Sequence, residues 1–91
     1  MSPVYRRASD VAETPLGEEL FLVSGATQQI FHLEPVAAAL WRLLAEPASL
    51  AVVHRAFLEA FPEAEPRRVA ADLDAALESL VANGLALRLN P

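Results

Sequence analysis

One stretch decides the fold: His32-Leu33-Glu34-Pro35-Val36-Ala37-Ala38-Ala39-Leu40-Trp41-Arg42-Leu43-Leu44. Here an extended first third of the chain gives way to a helical remainder. Glu34 is positioned to cap a helix, and Pro35 suits the first helical position, where its missing N–H is no loss. Apolar side chains then share one helical stripe, at Val36, Ala37, Leu40, Trp41 and Leu44. Trp41, the single tryptophan, is expected to be the largest side chain of the core.

The first third of the chain predicts three strands. Residues 10–14 alternate weakly as a first strand, residues 19–23 are a β-prone run, and residues 28–33 form the third strand. The segments between them, residues 15–18 and 24–27, contain the proline or glycine typical of turns. Connections this short predict an antiparallel meander over residues 10–33. Residues 1–9 are expected to form a loose N-terminal arm.

The remainder predicts three helices within residues 35–84. Pro47 and Pro62 separate them, and Ser49 is a suitable N-cap for the second helix. The predicted inner stripe of the second helix is Leu50, Val53, Phe57 and Phe61. The third helix has the firmest periodicity, with apolar side chains at Val69, Leu73, Ala76, Leu77 and Leu80.

The end of the chain predicts how the last helix stops. Asn83-Gly84 is typical of a left-handed C-cap, and residues 85–89 alternate as a short terminal strand would. Three strands with one apolar face are not stable alone in water, so the helices must cover them. The sequence therefore predicts a single α+β domain over residues 1–91.

Composition excludes several classes of function. The 91 residues include no cysteine and no lysine, which excludes disulfides, thiolate metal sites, a thiol nucleophile and Schiff-base chemistry. The net charge of −5 disfavours a generic nucleic-acid binder. No apolar run approaches the ~18 residues of a membrane span. With no signal peptide at its start, the chain is expected in the cytoplasm, away from membranes.

The residues do not form a recognisable catalytic or metal-binding pattern. His32 and His54 are the only histidines, and neither has a second ligand at metal-binding spacing. Asp72 and Asp74 point to different faces of the third helix, so they are not a local carboxylate pair. We therefore predict a protein that is not an enzyme and that holds no metal or cofactor.

The edge of the predicted sheet is the most informative feature for function. The third strand of a meander is an edge, and its residues contain no proline and no acidic or basic side chain other than histidine. Proteins usually blunt such an edge, so an unblunted one is either a hazard or a docking site for an added strand. The candidate binding residues here are Gln28, Gln29, Ile30, Phe31 and His32. The alternative is that the third helix covers the edge.

The third helix offers a possible groove beside this edge. Small side chains next to its leucine stripe would leave a shallow trough for an extended peptide, and the candidate lining is Ala71, Asp72 and Ala75. The alternative is that alanine is abundant simply because it is the best helix former.

Nearly the whole chain resembles the PqqD family. The resemblance is carried by Tyr5-Arg6-Arg7 at the start, the passage over residues 33–44 into an Ala-rich helix with tryptophan, and the helix opened by Ser49. It ends with Asp-Leu-x-x-Ala-Leu-x-x-Leu-x-x-x-Gly-Leu over residues 72–85. The resemblance implies a winged-helix-like domain that recognises the leader of a ribosomally made, later modified precursor peptide. It also implies that the leader adds as a strand to the third strand and packs against the third helix.

On this resemblance the chain is a non-catalytic peptide chaperone. It would present the precursor to a modifying enzyme such as a radical enzyme, a cyclase or a leader protease. Apolar leader side chains would fill a groove between the third helix and either Ile30 or Phe31, depending on strand register. Arg67 or Arg68 would steer or pair with acidic leader residues. Departures from the quinone-pathway pattern, such as Glu34 for asparagine, favour a lasso-peptide or other modified-peptide system.

Two other classes of function stay open on the residues. The first is a winged helix-turn-helix regulator that reads DNA with the third helix, using Arg67, Arg68 and Arg88 as contacts. The second is a plain structural subunit. The open edge and thin core also permit a homodimer formed by domain swapping.

Overall fold

The computed structural model describes residues 3–89, and the segment it describes contains six strands and three helices. The strands are β1 (Val4–Arg7), β2 (Val11–Leu16), β3 (Glu19–Ser24), β4 (Ile30–Leu33), β5 (Ala48–Ser49) and β6 (Ala86–Leu89). The helices are α1 (Pro35–Leu43), α2 (Leu50–Ala60) and α3 (Pro66–Ala82). The predicted α+β class, with strands first and three helices after them, is confirmed.

The predicted meander is a three-stranded antiparallel sheet in the order β2-β3-β4. A two-residue turn joins β2 to β3, and Gly17 there has a φ of +64°, a conformation that glycine adopts without steric cost. Pro15 lies inside β2 rather than in this turn, which corrects the prediction. β4 begins at Ile30, two residues later than predicted.

The predicted loose arm is wrong for Val4–Arg7. This segment is β1, the central strand of a second antiparallel sheet ordered β5-β1-β6. It pairs with the predicted terminal strand, which is confirmed as β6, so that Val4 lies opposite Leu89 and Arg7 opposite Ala86. Met1 and Ser2, also part of the predicted arm, lie outside the described residues.

The helix ends follow the local sequence. Ser49 caps α2, with its side-chain oxygen accepting a hydrogen bond from the Val52 backbone N–H at 3.2 Å. Gly84, at φ +72°, ends α3, and the Leu85 N–H returns to the Leu80 carbonyl at 2.8 Å. Glu34 is extended at the N-cap of α1, but its side chain makes no capping hydrogen bond there.

One core joins both sheets to the helices. Trp41 is 2% exposed and belongs to the same buried cluster as the leucines of β3 and α3. Two residues that share the predicted apolar stripes are not covered, because Val36 is 38% and Phe61 is 44% exposed. These two side chains mark the surface described next.

Candidate functional site

The outer edge of β4 carries unpaired main-chain groups. Within residues 3–89, β4 pairs with β3 alone. The Ser24 N–H donates to the Gln29 carbonyl at 3.0 Å, which shows which pairs of residues in the β3–β4 ladder are hydrogen-bonded. Because bonded pairs alternate along an antiparallel ladder, Phe31 and Leu33 bond to β3, and the N–H and C=O groups of Ile30 and His32 point away from it.

The opposite edge of the same sheet is blunted. The Gly25 N–H donates to the Asp10 carbonyl at 2.8 Å, so these two residues are a hydrogen-bonded pair of the β2–β3 ladder. Because bonded and non-bonded pairs alternate, Pro15 belongs to a non-bonded pair and its nitrogen points outward. Proline offers no donor to an incoming strand there. Of the two edges, β4 alone therefore has an N–H at each of its outward-facing positions.

A cleft begins where β4 ends. It has a volume of about 340 Å³ and lies between the start of α1 and the middle of α3. Its lining residues are Glu34, Val36, Ala37, Asp72, Ala75 and Ala76. Glu34 directly follows β4, so the cleft continues from the open edge.

A second cleft of about 180 Å³ extends the first toward the end of α2. It shares Val36 and Asp72 with the first cleft, so the two form one surface, named here the α3 groove. The other residues that line this second part are Phe57, Phe61, Ala64, Arg68 and Val69. Aromatic and aliphatic side chains thus form its base, with one arginine and one aspartate beside them.

The structure brings together some of the predicted site residues. Arg68, Asp72 and Ala75 line the α3 groove, while Ala71 is exposed on α3 and lines neither of its clefts. On β4, Phe31 is half-buried against the core, and Ile30 is 70% exposed on the other face of the sheet. The register left open by the sequence therefore turns Phe31, not Ile30, to the side of the helices.

Gln28 and Gln29 do not belong to the strand, which corrects the prediction. Gln28 has a φ of +62°, and its N–H donates to the Ser24 carbonyl at 2.7 Å. The Gln29 N–H donates to the Thr27 hydroxyl at 3.3 Å. Their main-chain donors are thus used within the turn that joins β3 to β4.

Sequence reasoning missed several groove residues. Val36 and Phe61 share the predicted core stripes but lie uncovered, and helical periodicity has no signal that separates a covered stripe residue from an uncovered one. Glu34 was read only as a cap. The one available signal was the length of these apolar stripes, because a long stripe leaves some side chains beyond the neighbouring helices.

No group of three or more His, Asp or Glu side chains capable of holding a metal occurs between residues 3 and 89. His32 and His54 each contact a single carboxylate, Glu19 and Asp74 respectively. None of the helices in this segment is both long and apolar enough to cross a membrane.

These features define a small α+β domain in which an open strand edge adjoins a helical groove. The family model described as coenzyme PQQ synthesis protein D (PqqD) matches residues 19–86, which is most of the chain. The chain belongs to this family. A comparison with curated proteins found no match.

Two solved structures are similar to this chain. "TbiB1 in Complex with the TbiA(beta) Leader Peptide" matches with a TM-score of 0.80 and 21% identity, over 94% of this chain and 99% of that one. "Lasso peptide synthetase B1 complexed with the leader peptide" matches with a TM-score of 0.71 and 28% identity, over 91% and 96%. The first likeness concerns the fold alone.

Proposed function

We propose that this chain binds the leader segment of a ribosomally made precursor peptide and presents it to an enzyme that modifies or cleaves it. The leader adds as a fourth strand along β4. The chain itself performs no chemistry in this role. Both the peptide and the protein are made in the cytoplasm, and that is where we expect them to meet.

The observation that carries this proposal is the open edge of β4. Four main-chain groups, the N–H and C=O of Ile30 and of His32, face away from β3. A peptide in the extended conformation satisfies them with hydrogen bonds that do not depend on its sequence. The edge thus supplies affinity and orientation rather than specificity.

The α3 groove supplies the specificity in this proposal. Side chains of an added strand alternate between the two faces of the sheet, so every second one points toward the helices. The small side chain of Ala75 leaves room there, and Phe57, Phe61 and Val69 offer apolar contact. Arg68 is available to an acidic leader residue at the polar end.

The comparisons support the same function. Both similar structures are complexes with a leader peptide, and the second is lasso peptide synthetase B1. The likeness to that second structure extends over 91% of this chain at 28% identity. We predict that the product is a lasso peptide or another modified peptide. We predict that the enzyme that receives the peptide is a radical enzyme, a cyclase or a leader protease.

A DNA-binding regulator is not favoured. The proposed reading helix α3 carries Arg67 and Arg68 but also Asp72, Asp74 and Glu78, so it has no net positive charge to offer phosphates. The third candidate contact, Arg88, lies on β6 in a cleft that it shares with Asp74 and Glu78.

The test first identifies a short precursor-like open reading frame next to the gene for this chain, and then measures binding of its synthetic leader by calorimetry. His32→Pro removes one outward N–H from β4 without removing a ladder bond to β3. His32→Ala is its matched control, because it removes the same side chain and its contact with Glu19 but keeps the N–H. We expect His32→Pro to weaken binding by roughly tenfold relative to His32→Ala, as the loss of a main-chain hydrogen bond implies.

Equal affinities for the two variants would contradict strand addition. If the wild-type protein binds no leader at all, the plain structural subunit becomes the better account. Circular dichroism of both variants shows whether the sheet is intact before affinities are compared.

A further inference from the structure

The sheet has an outer face that neither the core nor the α3 groove uses. The registers of β2, β3 and β4 align Leu16, Phe21, Val23 and Ile30 on the side opposite the buried leucines of β3. Leu16 is 63% and Ile30 is 70% exposed, and Phe21 and Val23 are half-buried. An apolar patch shared by three neighbouring strands is typical of a surface that contacts another protein.

The charge around this patch has one sign. Residues 10–33 contain four acidic side chains, Asp10, Glu13, Glu18 and Glu19, and no arginine. This segment therefore carries −4 of the net −5, with histidine neutral. All seven arginines lie on other elements, and Arg7 pairs with Glu13 on the inner face of the sheet. Glu13 therefore does not face the patch, and Asp10, Glu18 and Glu19 remain to attract a partner with basic side chains.

The patch is continuous with the proposed peptide site. Ile30 and His32 belong to the outer face through their side chains and to the open edge through their main chain. A strand added to β4 turns half of its side chains toward the α3 groove and the other half onto the outer face. Bound peptide thus widens the outer face by one strand and displays part of its own sequence there.

We infer that the outer face of β2, β3 and β4 is the docking surface for the enzyme that acts on the bound peptide. The matching surface of that enzyme is an apolar patch bordered by arginine or lysine. This inference rests on the proposed function. A protein seated on this face contacts the presented peptide directly, so the peptide and the carrier are recognised together.

The first test measures the apolar patch. The probe is a purified modifying enzyme or leader protease whose gene is found next to the gene for this chain, and its affinity is measured with leader peptide bound and without it. Leu16→Gln is compared with Leu58→Gln, which removes a similarly exposed leucine (41%) from α2 on another surface. We expect Leu16→Gln to raise the dissociation constant for the enzyme about tenfold, through lost apolar contact, while Leu58→Gln changes it less than about twofold.

The second test measures the charge. Glu18→Lys and Glu59→Lys change the net charge equally, but only Glu18 borders the patch, in the turn between β2 and β3. We expect Glu18→Lys to slow association with the enzyme and to make the association rate less dependent on salt, measured from about 0.05 M to about 0.5 M. Glu59→Lys should behave as the wild type.

The outcomes separate this inference from the proposed function. Leader affinity, measured by calorimetry, should be unchanged in Leu16→Gln, because that side chain lies on β2, away from the β4 edge. Equal enzyme affinities for Leu16→Gln and Leu58→Gln would overturn the inference while leaving peptide binding intact. A wild-type dimer that Leu16→Gln converts to a monomer would assign the face to a second copy of the chain and would also overturn it.

Discussion

The guanidinium of Arg7 stacks over the indole of Trp41, with its central carbon 4.5 Å from the ring centroid. Its Nε also donates to the Trp41 carbonyl at 2.9 Å. The indole N–H in turn donates to a carboxylate oxygen of Glu13 at 2.9 Å. Arg7 belongs to one sheet and Glu13 to the other, so Trp41 joins the two sheets through polar contacts as well as through burial.

Arg7→Lys should therefore destabilise the fold, although the charge is kept. Lysine lacks both the planar group that stacks on the ring and the Nε–H that reaches the Trp41 carbonyl. We expect a loss of about 1–2 kcal/mol in the free energy of unfolding, measured with urea. Arg6→Lys, at the exposed neighbouring position of β1, is the control, and we expect it to change stability by less than ~0.5 kcal/mol. Equal effects would show that the stacking contact is not stabilising.

Ala75→Leu should close the α3 groove. Ala75 lines the cleft that continues from β4, and a leucine there occupies the space that a leader side chain needs. We expect leader affinity to fall at least about tenfold, because the overlapping side chains exclude each other. Ala71→Leu makes the same change one helical turn earlier, at an exposed position that lines neither cleft. If Ala71→Leu blocked binding equally, the predicted trough at Ala71 would be right and the groove described here would be misplaced.

Phe61→Ala should weaken leader binding more than it weakens the fold. The ring is 44% exposed, lies 5.9 Å from that of Phe57 and forms one wall of the groove. Loss of an aromatic contact at a peptide interface typically costs about 1–2 kcal/mol of binding free energy, which calorimetry detects. Leu58→Ala, in the last turn of α2 and 41% exposed, removes apolar surface outside the groove. Matching losses of affinity would mean that general destabilisation, not the groove, is responsible.

Arg68→Ala and Arg67→Ala should differ although they remove the same charge from adjacent positions. Arg68 lines the α3 groove beside Asp72, and Arg67 does not. For a leader with an acidic residue near this end, we expect Arg68→Ala to lower affinity by about threefold to tenfold, the range of a partly exposed ion pair. Arg67→Ala should stay within about twofold. Identical salt-dependent losses for both would indicate steering by net charge without a specific contact.

Much of the fold follows from local sequence. The caps at Ser49 and Gly84 depend on residues at most four or five positions apart, and the helical stripe of α3 depends on spacing alone. The β2–β3 turn likewise needs only a glycine between two β-prone runs. These interactions close over short distances along the chain, and sequence patterns record them directly.

The second sheet does not follow from local sequence. β1 pairs with β6, about eighty residues away, and Val4–Arg7 by itself is too short and too polar to be recognised as a central strand. The segment becomes a central strand because β6 pairs with it and because Tyr5 is buried in the core. Only the assembled chain contains that information.

The sequence by itself determined that the strand after Ser24 is an edge without proline or acid, and that an alanine-rich helix follows later in the chain. Only the tertiary structure decided that this edge stays open, that Phe31 rather than Ile30 faces the helices, and that Val36 and Phe61 are left uncovered. The physical reason is that the periodicity of a helix or strand determines which side chains share a face, whereas the packing of distant elements determines whether that face is covered.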